Sequence, residues 1–427
     1  MFDKVASLAI FVAAYVLFIV FHDRRSIVAM AAAALLVILG VIGPWQAFAE
    51  LVNWNVMGVF FGVLVLAELL MQSNMPAVVA ERLVNWAPRA WIAMLLICAL
   101  SSFISMFAEN VATVLLIAPI ALHTAKKIGI SPVPLLIGVA VCSNLQGTAT
   151  LIGDPPSMIF AGYQKMSFAD FFVYKGRLSI FFFVQVGAIA SLGVLYFFFR
   201  RHDENILIER TEPIHSWTPT WLMASLVAAL VVASFLDKDF RYLSGVLCMT
   251  WAAAGLLWHH GRQGHVFKLI RTFDWDTTFF LMGIFVLVGA LIQTGWIGTI
   301  TAGIASVSGG SPLGAFIIVV AMSVAVSAVV DNVPYLAAMI PVATGLAEGF
   351  KEQGVAVRPE LLLFGLLIAA CIGGNVTPIG ASANVVTVGY LRKHGYPVTF
   401  REFIRIGLPF TLVATAAATA ALWLVWG

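Results

Sequence analysis

Two stretches set an acid beside an asparagine inside an otherwise apolar run: AENVATVLLIAP at 108–119 and VDNVPYLAAMIP at 330–341. Both read acid-Asn-Val, seven residues, then proline, which places Glu109 with Asp331 and Pro119 with Pro341. A charged side chain in hydrocarbon costs roughly 2.5–3.5 kcal/mol on insertion scales, so such a group is kept facing a polar cavity and a partner. There Glu109 and Asp331 could take up and release a proton or meet a cation. Asn110 and Asn332 can offer a solute both donors and acceptors, or cap the helix that follows. A second pair of stretches shares G-x-x-T-x-I-G, namely GTATLIG at 147–153 and GNVTPIG at 374–380. Thr148, Thr150, Asn375 and Thr377 would add hydroxyl and amide groups on backbone that Gly147 and Gly374 allow to unwind. Asp154 directly follows the first stretch and is either a third cavity acid, with a proton-coupling role like Glu109 and Asp331, or an Asp-Pro turn.

The elements that must position these groups are membrane helices. Of 427 residues, 61% are hydrophobic and 11% charged, about half the charged share of an average soluble domain. Apolar segments long enough to cross ~30 Å of hydrocarbon recur along the whole chain, too many for a leader plus an anchor, and the first is read as a retained span. Helices are expected near 5–22, 26–43 and 55–73, followed by a folded-back hairpin over 92–125, an interrupted helix over 132–162 and a helix over 178–200. The same order returns at 218–236, 242–258 and 276–295, then a hairpin over 311–350, an interrupted helix over 360–390 and a last helix over 406–426. Residues 1–200 and 218–427 therefore form two repeats joined by a polar loop, 201–217.

The residues agree with this division. Trp54–Asn74 aligns without gaps on Trp275–Gly295, sharing the tryptophan, the Gly62/Gly283 pair and Gln72/Gln293. Glu68 has no acidic counterpart and faces Gly289 in the alignment. Five spans and one re-entrant hairpin give each half an odd number of crossings, so the second copy is inverted. With the N-terminus outside, sixteen of the 24 Lys and Arg fall on the cytoplasmic side, among them Arg24, Arg25, Arg200 and Arg201, while Lys165, Lys175 and Arg177 do not. The positive-inside rule thus places both termini outside the cytoplasm of a bacterial inner membrane. The expected fold class is an all-α polytopic membrane protein with an inverted-topology repeat: about ten transmembrane helices, two re-entrant helical hairpins and two broken helices.

Inverted repeats let a central site open alternately to either side, and helices broken at matching positions are a carrier's usual means of exposing backbone to a solute. A simple kinked helix is the alternative for Gly147–Pro156 and Gly373–Gly380. Lys and Arg are absent from every expected core span, which argues against a fixed cationic anchor for an anion. Cys98, Cys142, Cys248 and Cys371 lie in apolar segments without C-x-x-C spacing, so neither a disulfide framework nor a zinc site is indicated. Cys142 and Cys371, although near the broken helices, read as packing residues. An intramembrane aspartyl protease using Asp154 and Asp331 would need flanking motifs that neither acid has. No metallopeptidase, nucleophile-elbow or phosphate-loop motif occurs, so an enzyme is not expected.

ENVATVLLIAP, GTATLIGDPPSMI, Trp275-Asp276, DNVPYLAAMIP and GGNVTPIGASANVV together resemble the ion transporter superfamily and, within it, the ArsB/NhaD/P-protein branch of arsenite and cation permeases. The resemblance spans essentially the whole chain. It implies substrate contacts at Asn110, Asn332, Thr148, Thr150, Gly147, Asn375, Thr377 and Gly374, and proton coupling at Glu109, Asp331 and Asp154. The sodium-coupled dicarboxylate branch carries Ser-Asn-Thr at each hairpin tip. Here Glu109 and Asp331 replace the serine, and Val111 and Val333 the threonine, which suits a proton, a metal cation or a neutral polyhydroxyl solute better than a dicarboxylate. The expectation is proton-coupled efflux of arsenite or antimonite by alternating access, with a Na⁺/H⁺ antiporter as the alternative and a proton- or sodium-coupled anion permease behind it. The implied partners are As(III) or Sb(III), protons and the bilayer, with no nucleic acid, cofactor or resident metal. A homodimer and a soluble ATPase partner are both compatible with the resemblance.

Overall fold

The computed structural model describes residues 2–21, 24–203, 213–237, 239–263, 266–271 and 273–427. The central part of the expected polar linker, 204–212, lies outside the described residues. The first half runs α1 (Phe2–Val20), α2 (Arg25–Ile38), α3 (Trp54–Gln72), α4 (Met75–Trp86), α5 (Ala90–Ser105), α6 (Asn110–Ile128), α7 (Val133–Gly147), α8 (Pro155–Gln164) and α9 (Ile180–Phe199). The second runs α10 (Thr218–Leu236), α11 (Leu243–Gln263), a short α12 (Val266–Arg271), α13 (Trp275–Gln293), α14 (Trp296–Val307), α15 (Pro312–Ser327), α16 (Asn332–Glu352), α17 (Pro359–Gly373), α18 (Ser382–Lys393) and α19 (Phe400–Trp426). Nine helices among the described residues are long and apolar enough to cross a membrane, and a tenth span arises if the bent α14–α15 pair is counted as one. The fold is the inverted-repeat membrane architecture expected from the sequence, apart from a small β-hairpin pairing Val173–Tyr174 with Arg177–Leu178.

The two hairpins are α5–α6 and α15–α16, and the two broken helices are α7/α8 and α17/α18. Besides the short α12 of the second half, each half holds a matched helix absent from the sequence reading, α4 and its counterpart α14. Both follow a left-handed residue, Asn74 at φ 59° and Gly295 at φ 77°, which turns the chain sharply after α3 and α13. At twelve residues each, they are too short to register as spans.

The halves interlock through their second helices. α2 packs on α13 and α11 packs on α3, so each half contributes one helix to the other's scaffold. The paired glycines make this possible. A Cβ on Gly283 would lie 2.7 Å from the Ala29 backbone carbon, and one on Gly62 would lie 2.4 Å from that of Cys248. α9 and α19 close the bundle, Gly187 admitting the Ala414 carbonyl.

Candidate functional site

Both hairpins turn in four residues, and the acid of each motif is the last residue before the returning helix. Asp331 caps α16, its Oδ1 accepting from the Val333 amide at 3.0 Å. Glu109 holds the corresponding position at the start of α6. The asparagines behind them are pinned in the same way in both halves. Ser105 donates to Asn110 Oδ1 and Ser327 donates to Asn332 Oδ1, each at 2.6 Å. The spacing Ser-x₄-Asn is present twice in the sequence and is the signal that would have revealed these bonds.

The broken helices fit against those tips. A Cβ on Gly147 would come within 2.5 Å of Asn110 Oδ1, and one on Gly374 within 2.9 Å of Asn332 Oδ1. Gly153 and Gly380 close on the carbonyls of Gly147 and Gly374. Thr150 donates to the Met106 carbonyl at 2.5 Å, and Thr377 donates to the Ala328 carbonyl. These hydroxyls therefore satisfy hairpin-tip backbone that would otherwise be unpaired in a buried setting. Thr148 is buried, and Asn375 bonds to protein partners. The central cavity is lined by Glu109, Asn110, Asn144, Asp154, Asp331 and Asn332, with Arg25, Thr277 and Ser382 among its other walls. Thr148, Thr150, Gly147, Asn375, Thr377 and Gly374, expected to touch the solute, do not line it: they build its supporting backbone.

Asn144 is a lining residue the sequence reading passed over. Its Nδ2 donates to Asn375 Oδ1 at 2.7 Å and to Asn384 Oδ1 at 2.9 Å. Asn384 in turn donates to the Gly374 and Thr377 carbonyls, both at 2.9 Å, and Asn375 donates to the Val141 carbonyl at 3.1 Å. The end of α7 and the unwound turn of the other half are thus joined side chain to side chain. Glu68, by contrast, stays outside this centre and accepts from Gln72 at 3.0 Å.

The expectation of a cavity without a fixed cation is overturned. Arg25, counted in the sequence as a cytoplasmic loop charge, is largely covered, its side chain 12% exposed, and enters the site from the first turn of α2. Its guanidinium meets Asp331 at 2.6 Å and Asp276 at 3.2 Å, and donates to Thr277 at 2.9 Å and Ser382 at 3.1 Å. Ser26 donates to the other oxygen of Asp276, and Asp274 caps α13 through the Thr277 amide at 2.9 Å. Arg25 also borders an outer cleft lined by Phe18, Ile19, Val329 and Ile379, so it stands between the cavity and that cleft. Five carboxyls, those of Glu109, Asp154, Asp274, Asp276 and Asp331, lie within reach of this guanidinium. Among the described residues, acids therefore outnumber cations at this site.

The citrate transporter family profile matches residues 15–368 of the chain. An uncharacterized transporter of Mycobacterium tuberculosis is 30% identical over 435 residues, covering 99% of this chain and 98% of its own. An uncharacterized transporter of Synechocystis is 30% identical over 443 residues, covering 98% and 96%. The human P protein is 27% identical over 490 residues; these take in 95% of this chain and 58% of the P protein. Among solved structures, the YdaH transporter of Alcanivorax borkumensis superposes with a TM-score of 0.60 at 14% identity, over 91% of this chain and 86% of that one. MtrF of Neisseria gonorrhoeae, from a class described as antimetabolite efflux pumps, gives 0.57 at 11% identity over 91% and 83%. At these identities the structural likeness concerns the fold alone.

Proposed function

The chain belongs to the citrate transporter family, a family of membrane transporters, and on that premise we propose that it is a proton-coupled secondary carrier exporting a neutral trihydroxide, arsenite or antimonite. The observation that carries this reading is the charge imbalance of the central cavity, where Glu109 and Asp154 share space with Asn110, Asn332 and Asn144 while the one guanidinium is already bound to Asp331 and Asp276. A neutral solute needs hydrogen-bond partners, which the asparagines and carboxyls offer, and no counter-ion. The proton carries the charge that As(OH)₃ lacks: entering down 100 mV it releases ~2.3 kcal/mol, about a fifty-fold gradient for one-for-one exchange. Orientation in a bacterial inner membrane with both termini outside belongs to the same proposal. The engagement of Asp331 by Arg25 further disfavours an aspartyl dyad with Asp154.

The family's description favours a second reading, transport of citrate. Arg25 is then the anchor, and a tricarboxylate would have to enter with its charge offset by protons or a bound cation, because the acids of the cavity outnumber its cation. Proteoliposomes with an imposed pH gradient distinguish these cases. As(III) and Sb(III) flux driven by the gradient and lost in Glu109→Gln is the expected result. Flux of citrate alone would replace the proposal with the second reading, and flux of Na⁺ alone would make the protein a cation antiporter.

A further inference from the structure

The halves match at their hairpins and differ at the helices beside them. The glycine contacts that align α11 with α2 place Ser244 where Arg25 stands, and the gapless alignment of α3 with α13 places Asn55 where Asp276 stands. Asn55 is occupied with backbone: its Oδ1 accepts from the Gly245 amide at 2.7 Å and its Nδ2 donates to the Phe240 carbonyl at 2.9 Å. The α3–α11 contact therefore holds a neutral version of the Arg25 cluster at α2–α13. Among the described residues no Lys or Arg forms an ion pair with Glu109 or Asp154, whereas Asp331 has one at 2.6 Å.

We propose that Arg25 is a tethered counter-ion to Asp331, so that the coupling proton is taken up by the Glu109–Asp154 pair, which no such cation engages among the described residues. This assignment rests on the proton-coupled reading above and is narrower than the expectation that all three acids share that role. The guanidinium is a permanent charge with four partners in place, two carboxylates and two hydroxyls. A proton arriving at Asp331 would compete with that charge. At Glu109 and Asp154, which share the central cavity and a smaller one beneath it, it would supply charge that is missing.

The surroundings on each side are as follows. Asp331 faces Arg25 from α2, which Asp274 and Asp276 of α13 also approach, Tyr15 from α1, which neighbours Tyr335, Asp154 across the cavity and Cys371 from α17. Glu109 and Asp154 face each other, with Asp331, Asp274 and Arg25 across the cavity. Neither tyrosine nor the thiol supplies positive charge, so Arg25 is what separates the two sides. Arg25 is a positioning residue in this scheme, acting through Asp331.

The test is an infrared titration of the purified full-length protein, following the protonated-carboxyl band, with proton-driven flux measured on the same variants. The wild-type band should be lost in Glu109→Gln and in Asp154→Asn and retained in Asp331→Asn. Arg25→Gln should add one titrating carboxyl, and Arg25→Gln with Asp331→Asn should remove that addition. Because Arg25→Gln strips the cation from two acids and could fail to fold, the charge-balanced double variant and Asp331→Asn carry the test without it. Loss of the band in Asp331→Asn, or a double variant that titrates differently from wild type, would overturn the assignment. If the infrared pattern holds but a pH gradient drives no flux in wild-type vesicles, the transport reading falls and the counter-ion role stands.

Discussion

Asn144 offers a direct measure of how the halves are joined. Its amide is the shared donor for two buried acceptors, Asn375 Oδ1 and Asn384 Oδ1. In Asn144→Ala both oxygens lose that donor, and a buried unsatisfied group costs about 1–3 kcal/mol, so the pair amounts to roughly 2–6 kcal/mol. Unfolding entropy scales with chain length. For a chain of this size each kcal/mol therefore moves the melting temperature by about 1 °C, and a fall of several degrees is expected. Asn144→Asp should be worse than alanine, since it points an acceptor at two acceptors. The two variants would be melted in detergent by tryptophan fluorescence, together with Asn375→Ala and the Asn144→Ala/Asn375→Ala double. The double should lose less than the two singles combined, because an oxygen that has been removed no longer suffers from a missing donor. A single variant that melts with the wild type, or a double equal to the sum, would refute the network.

Two further outcomes test the scaffold. Gly283→Ala should destabilise by about 1–3 kcal/mol by overpacking α2 against α13, and Gly62→Ala should do the same to α3 and α11; an unchanged melting temperature in both would contradict the interlocked packing. All four native cysteines are buried, so in a cysteine-free background Asp203→Cys should be sheltered from an impermeant thiol reagent in intact cells and Gln353→Cys labelled. Equal labelling would contradict the proposed orientation.

The repeats, hairpins and helix breaks were legible because each rests on a residue whose backbone role has few substitutes. Gly147, Gly153, Gly374 and Gly380 sit where a Cβ would strike an asparagine or a carbonyl, and the sequence marks all four. α4 and α14 were missed since their twelve residues mix polar and apolar types and fall below a span's length. The site was read less well, for two physical reasons. Threonine in a broken helix advertises a free hydroxyl, yet Thr150 and Thr377 use theirs on hairpin-tip carbonyls. Arg25 looks like a loop charge by position along the chain, although a long side chain at a helix start can reach back into the bundle. Its partner was visible in Trp275-Asp276, an acid opening an apolar helix with no stated use for its charge.

The bonds also indicate which parts move together. Thr150 and Thr377 fasten each broken helix to the tip of its own hairpin, and Ser105 and Ser327 lock each asparagine within that tip. Asn144 then joins the two broken helices across the centre, so the cavity walls form one connected body. Arg25 ties this body to another, since its partners Asp331 and Ser382 belong to the walls while Asp276 and Thr277 belong to the α2–α13 scaffold. Any motion of the walls against that scaffold must therefore stretch or exchange the guanidinium's bonds, whereas on the Glu109 side no ion pair ties walls to scaffold among the described residues, and Asn55 is bonded to Gly245 within the scaffold itself. Breaking a buried ion pair without replacement costs about 3–5 kcal/mol. The walls are thus expected to move first at the Glu109 side, where the proposal places the proton, and to carry Arg25 and Asp331 as an intact pair.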